Sequence, residues 1–257
     1  MIIRAYSGPH IGSTGFFRNR ALLDTVHDWI DRHCPGTPRV LVHAASIGAE
    51  AYSYVIGRAL RRPEAAEGCD ATDIDANFLK AAEQGVYSVN VLEGMRPDAA
   101  RHFEPAGANN VRVTEALRRR VRFLPAASYV DFETAARYDV VFLLNSLLYV
   151  DAAAQRRTLD RIARYNTRLL ITTGFHPDTI KADLVDNGSR PITTNLAEIH
   201  EGWTERRSLR PGVTEPGVTY CTPYLPPFSP IADYEYKYGA IFAKADVGDH
   251  SPAATGS

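Results

Sequence analysis

Residues 40–61, VLVHAASIGAEAYSYVIGRALR, decide the fold. Val40 to Ala45 is a short apolar run, and Glu50 to Arg61 follows with Tyr54, Val55, Ala59 and Leu60 at helical spacing. The same alternation repeats outward. Cys69 to Thr72 precedes a short helix over Ala76 to Gln84, and Val121 to Leu124 makes a third strand. Val140 to Leu144 (VVFLL) leads into a helix over Ala152 to Tyr165, and Leu169 to Thr173 (LLITT) follows it. Strands separated by helices predict βαβ units and an α/β fold, its mostly parallel sheet covered by helices on both faces. Upstream, Leu22, Leu23, Val26, Trp29 and Ile30 share one helical face, and Pro35-Gly36 ends that helix.

Three stretches depart from this rhythm. Ser88 to Arg120 is longer than one crossover helix needs and reads as an inserted subdomain, with a helix over Asp98 to Phe103 and a strand over Val111 to Val113. Residues 187–230 are rich in Pro, Gly and Thr and read as a long loop or lid, where Trp203, Tyr220, Tyr224 and Phe228 are candidates for an aromatic surround. Tyr234, Tyr236 and Tyr238 at period two, followed by AIFAK, predict a closing strand or hairpin. The expected organisation is one domain over 1–245 and a frayed tail over 246–257.

Composition narrows the function classes. The chain has 257 residues, 45% hydrophobic and 23% charged, with 29 basic against 30 acidic side chains. That balance lacks the positive field a nucleic-acid or membrane-surface protein needs. Cys34, Cys69 and Cys221 form no CxxC pair, and His200-Glu201 is not followed by the second His of HExxH, so no metal is expected. The first residues lack a signal-peptide apolar core, and Tyr138 to Val150 is too short to span a bilayer. A cytoplasmic protein acting on a small-molecule substrate is the expectation, with no nucleic-acid or membrane partner.

Ligands in open α/β sheets bind beyond the carboxyl ends of the strands. The first strand runs into Ala45-Ser46-Ile47-Gly48-Ala49-Glu50, a small-residue turn opening a helix, but the GxGxxG fingerprint is absent. The second strand ends in Asp73-Ile74-Asp75. Asp73 is placed to accept hydrogen bonds from both hydroxyls of a ribose, and Asp75 suits the N-cap of the next helix. A loop without a phosphate signature beside a ribose acid suggests an adenosine cofactor lacking phosphates, such as S-adenosylmethionine.

Ordered blocks over about residues 12–176 resemble the chemotaxis-receptor glutamate methyltransferases (CheR-type). Ser13-Thr14-Gly15-Phe16-Phe17-Arg18 resembles the family's T-x-F-F-R, Ala44 to Ser53 its A-A-S-x-G-E-E-x-Y-S, Ala71 to Tyr87 its D-I-D block, and Phe142 to Leu159 its F-C-R-N-V-x-I-Y-F block. The resemblance implies a class I, Rossmann-like methyltransferase fold with a small inserted subdomain. It implies that Thr14 and Arg18 meet the cofactor's amino-acid end, with Arg18 able to grip a carboxylate bidentately. It places Ala45, Ser46, Gly48, Glu50, Asp73, Ile74 and Asn145 around the cofactor, with Asn145 and Tyr149 facing the sulfonium. His176 is a candidate base for a hydroxyl or amine acceptor; Phe17 is expected in the core.

The departures concern the acceptor. The T-x-F-F-R block begins almost at the start of the chain, so the family's N-terminal domain is expected to be missing. Leu144 stands where the family has Arg, and Ala127 where it has an Asn facing the adenine. The leading expectation is a methyltransferase acting on a small molecule, in secondary metabolism. The alternatives are a cyclase converting S-adenosylmethionine to azetidine-2-carboxylate and methylthioadenosine, and a non-catalytic protein that only binds the cofactor.

Overall fold

The computed structural model describes residues 2–204 and 232–245. An N-terminal hairpin, β1 (Ile3–Ser7) and β2 (His10–Thr14), precedes α1 (Arg20–His33). The alternation then begins with β3 (Val40–His43), α2 (Ala49–Arg61), β4 (Cys69–Ala71) and α3 (Ala76–Gln84). An excursion follows through β5 (Val86–Ser88), α4 (Pro97–Ala100), β6 (Phe103–Pro105), β7 (Asn110–Val113) and α5 (Glu115–Arg118). The chain returns through β8 (Val121–Phe123), β9 (Val140–Leu144), α6 (Ala152–Arg164) and β10 (Leu169–Thr173). It closes with α7 (Ile180–Asp186), β11 (Ser189–Pro191), α8 (Leu196–Thr204), α9 (Tyr234–Lys237) and β12 (Ile241–Lys244).

Seven strands form one sheet in the order β11-β12-β10-β9-β3-β4-β8. The five strands from β10 to β8 are mutually parallel, and β12 is inserted antiparallel between β10 and β11. This is the strand order of a class I methyltransferase fold, as expected. The period-two rule sorts the core. Val40, Val42, Val140, Phe142, Leu169 and Ile171 pack with Val26, Trp29, Ile30, Val55 and Ile56 of α1 and α2 on one face. Leu41, Val141, Leu143 and Leu170 pack with Leu159, Ile162, Ile180 and Leu184 of α6 and α7 on the other.

The excursion carries its own antiparallel sheet, order β5-β7-β6. Its helix is one turn opened by Pro97 at the first position, and Phe103 lies in β6, so the helix expected over Asp98 to Phe103 is shorter than its sequence suggested.

Two expectations near the C-terminus are corrected. The described part of 187–230 is not a plain loop: Ser189–Pro191 pairs with β12 as the outermost strand, where a proline is tolerated, and α8 follows. Trp203 contributes backbone to α8, while Tyr220, Tyr224 and Phe228 and the tail lie outside the described residues. The tyrosines at period two do not lie on a strand. Tyr234 and Tyr236 sit on the single turn of α9, opened by Asp233 in the left-handed region (φ 63°), and only Ile241–Lys244 is extended. A Cβ at Gly239 would fall 2.4 Å from the Glu235 carbonyl oxygen, so the chain folds back on this turn too tightly for any other residue.

Candidate functional site

Strand order reverses beside β3: β4 and β8 extend to one side, and the chain then crosses to β9 on the other. The crevice at such a switch point, beyond the carboxyl ends, is where an α/β sheet takes its ligand. Backbone strain gathers there. Ala44 (φ 50°) and Ser46 (φ 49°) in the loop after β3, and Asn145 (φ 53°) just after β9, are left-handed without being glycine. Such residues cost on the order of 1–3 kcal/mol each and persist where the surroundings over-determine them. Here Ala45 N–H donates to the Thr72 carbonyl (3.0 Å), Gly48 N–H to the Ala45 carbonyl (2.8 Å), and Asn145 N–H to the Thr173 carbonyl (2.7 Å).

Asp73 lies just past the end of β4, 6% exposed. Its Oδ2 accepts from Ser46 N–H (2.8 Å) and its Oδ1 from Asp75 N–H (3.0 Å). Burial pushes its carboxyl up, and the two N–H groups offset part of that. Asp75 caps α3 by accepting from Asn77 N–H (2.8 Å), the role its sequence suggested. Its second oxygen lies 2.8 Å from His10 Nδ1, and this bond chiefly holds the Asp75 carboxyl down at about 2. Ile74, between the two acids, is exposed at the rim.

A second polar group stands over the start of α2. The Thr14 hydroxyl donates to Glu50, while Arg18 Nη1 donates to the Ser13 carbonyl (3.0 Å) and lies 3.4 Å from the other Glu50 oxygen. Burial pushes the Glu50 carboxyl up, against the pull of Arg18 and Thr14. Phe16 is buried edge-on against Tyr87 and Phe103. Phe17 is left-handed (φ 47°), packs against the core, and is held by its N–H on the Ser53 hydroxyl.

On the far side of the switch, Asn145 Oδ1 accepts from the Thr173 hydroxyl (3.2 Å), while its buried Nδ2 has no hydrogen-bond partner among the described residues. Ser46 Oγ is in the same condition. A buried polar atom without a partner is costly, and one at a ligand crevice is ready to bond a ligand. Tyr149 ends a 3-10 turn, Leu147–Tyr149, and is 77% exposed. His176 is tied down: its Nε2 meets the Val150 carbonyl and its N–H donates to Gln155 Oε1 (2.7 Å). That fastens the loop after β10 through one nitrogen of the ring.

The structure therefore brings Thr14, Arg18 and Glu50 into one group, and Ala45, Ser46 and Asp73 into another. Gly48 faces protein: a Cβ there would lie 3.0 Å from the Ala82 Cβ and 3.2 Å from Tyr52. Sequence reasoning missed His10 and Gly12 of the hairpin, although Gly8-Pro9 between alternating runs marks such a turn. It also missed Tyr129, whose hydroxyl donates to the Ser146 carbonyl (2.8 Å) and is pushed up to about 12 by burial. Among the described residues no group of three or more His, Cys, Asp or Glu could hold a metal ion, and no helix is long and apolar enough to cross a membrane. A nucleoside with an amino-acid arm fits this donor set: carboxylates for hydroxyls and ammonium, and a guanidinium for a carboxylate.

Comparison with known proteins meets this geometry. Residues 12–171 match the CheR methyltransferase, SAM binding domain. Chemotaxis protein methyltransferase 2 of Pseudomonas aeruginosa is 34% identical over 160 residues, 58% of this chain and 56% of its own. The probable biofilm formation methyltransferase WspC of the same organism is 28% identical over 247 residues, 84% of this chain and 58% of its own. The chain thus spans a little over half the length of these relatives. The magnesium protoporphyrin IX methyltransferase of Synechocystis aligns over 66% of this chain and 68% of its own, with 19% identity and a TM-score of 0.41. Since the matched residues cover more than half of the sequence and include both polar groups of the crevice, the chain belongs to the CheR methyltransferase family through its S-adenosylmethionine-binding domain.

Proposed function

We propose that this chain binds S-adenosylmethionine over the ends of β3, β4 and β9 and catalyses transfer of its methyl group. The observation that carries the reading is Asp73, a buried carboxylate at the tip of the second parallel strand whose hydrogen-bond partners are two backbone N–H groups. When bound, S-adenosylmethionine supplies a carbon already activated by positive sulfur, so alignment and water exclusion matter more than a base. Asp73 receives the ribose hydroxyls. Arg18 holds the amino-acid carboxylate, and Glu50 receives the ammonium. Asn145 offers its unused Nδ2 donor beside the reacting end, and Tyr149 stands at the rim above it. His176 donates through Nε2 to the Val150 carbonyl, which leaves Nδ1 as the ring's proton acceptor for a hydroxyl or amine substrate.

For the acceptor we infer a small molecule. Leu144 stands where the family's pattern has Arg, so no guanidinium from that position is available to hold an acceptor carboxylate. Tyr129 lines the neighbouring loop. A second reading, a chemoreceptor-type protein acceptor, is favoured by the names of the chemotaxis relatives. Radiolabelled S-adenosylmethionine separates them. Label passing to a low-molecular-mass fraction supports the first reading, and label on a chemoreceptor cytoplasmic fragment supports the second. Methylthioadenosine formed from cofactor alone would replace both with cyclisation. No binding of the cofactor by calorimetry would remove the proposal entirely.

A further inference from the structure

Among the described residues the β1–β2 hairpin pairs only with itself and stands apart from the seven-stranded sheet. Its register turns Arg4, Tyr6, Ile11 and Ser13 outward and His10, Gly12 and Thr14 inward. Each inward residue of β2 meets a different element of the crevice. His10 Nδ1 reaches Asp75 Oδ2 (2.8 Å) after β4, and Thr14 donates to Glu50 at the start of α2. Between them a Cβ at Gly12 would fall 2.2 Å from Ser46 Oγ, so the strand backbone rests directly on the loop after β3. The tip is fastened a second time, by Asn77 Nδ2 on the Ser7 hydroxyl (3.0 Å).

This strip lies along one side of the crevice, over Ser46. Ser46 Oγ is buried without a partner beneath Gly12, and Asp73 is almost wholly covered. A group that bonds Ser46 Oγ must displace the Gly12 backbone lying on it. Lifting breaks no bond of the main sheet. It breaks first the tip contacts, of which His10–Asp75 is half-exposed and therefore of modest strength, while Thr14–Glu50 holds the far end of β2. Asp75 is joined to the ribose acid through its own N–H on Asp73 Oδ1, so the fastening ends on the crevice itself.

We propose that His10 is a positioning residue that latches the β1–β2 hairpin over the cofactor crevice, so that the cofactor enters and leaves when the His10–Asp75 contact opens. This rests on the crevice being the cofactor site, as read above. A side chain at position 12 acts as a wedge against Ser46 and props the strip away.

The test has two readouts on the full chain. Amide hydrogen exchange without ligand reports the hairpin itself: His10→Ala and Gly12→Ala should speed exchange at Arg4 to Ser13, and His10→Asn, which keeps a donor at the Nδ1 position, should restore protection. Release of S-adenosylhomocysteine, followed by stopped-flow chase, should quicken about tenfold in His10→Ala, the loss of one modest hydrogen bond. Association of S-adenosylmethionine should quicken with it, so that its equilibrium affinity stays close to that of the unaltered protein. Exchange and release in His10→Ala matching the unaltered protein would overturn the latch. Failure of the unaltered protein to bind S-adenosylhomocysteine would instead overturn the function, and the exchange experiment would still decide whether His10 holds the hairpin down.

Discussion

Two buried acids near opposite ends of α2 have different partners. Glu67 is almost fully buried and accepts from Nε of Arg58, itself fully buried, while Arg62 approaches its other oxygen at 3.3 Å. Arg58 also donates to Asp31 Oδ1 (2.7 Å), so this cluster neutralises itself. Asp73 is nearly as buried but is met by backbone N–H groups alone, and burial pushes its carboxyl up. A saturated ion cluster holds helices together. An acid whose charge is only partly compensated is poised to exchange hydrogen bonds with something that arrives.

The largest effect should come from unbalancing the saturated side. Arg58→Met leaves the buried Glu67 with only the half-exposed Arg62 beside it and should cost about 3 kcal/mol of stability by urea denaturation. Arg58→Met combined with Glu67→Gln should recover most of that loss, with cofactor affinity of the folded protein unchanged. A single variant as stable as the parent would end the comparison.

Acid should act next. His27, beside Arg58, and His43, under the crevice loop, are both lowered to about 3, first by burial. Folding therefore holds them neutral while the unfolded chain protonates them near its ordinary value of about 6.5. Between these values the unfolded state binds more protons, so stability falls as pH falls. From pH 7 to pH 5 the loss should be about 2 kcal/mol for each histidine, and His27→Gln should flatten the profile. A pH-independent midpoint over that range would contradict the burial of both rings as neutral groups.

The smallest change in stability, and the one that reads function, belongs to Asp73. Asp73→Ala should weaken cofactor binding by about 1–3 kcal/mol in calorimetry, and should lower stability by less than Arg58→Met does, because the Ser46 and Asp75 N–H groups lose their acceptor while no buried charge is left behind. Unchanged binding would remove Asp73 from its assigned role, and a collapse of stability would make it a structural acid like Glu67.

Much of this was readable in advance. The helices and parallel strands announce themselves because apolar residues recur at periods of 3.6 and 2, and Asp73 and Asp75 fall where a strand end and a helix cap must fall. Short elements were harder. Tyr234 and Tyr236 alternate as on a strand yet lie on one turn of helix, and three residues from Ser189 make a strand only because β12 offers them an edge. Neither pattern is long enough to outweigh its surroundings.

By itself the chain determines local periodicity, turn chemistry and the motif blocks of its family, because these depend on residues a few positions apart. Only the tertiary structure brings His10 to Asp75, sixty-five positions away, lays Gly12 on Ser46, and leaves Asn145 with an unspent donor. Those relations arise from packing between elements, where burial and the lack of competing water decide which polar groups find partners.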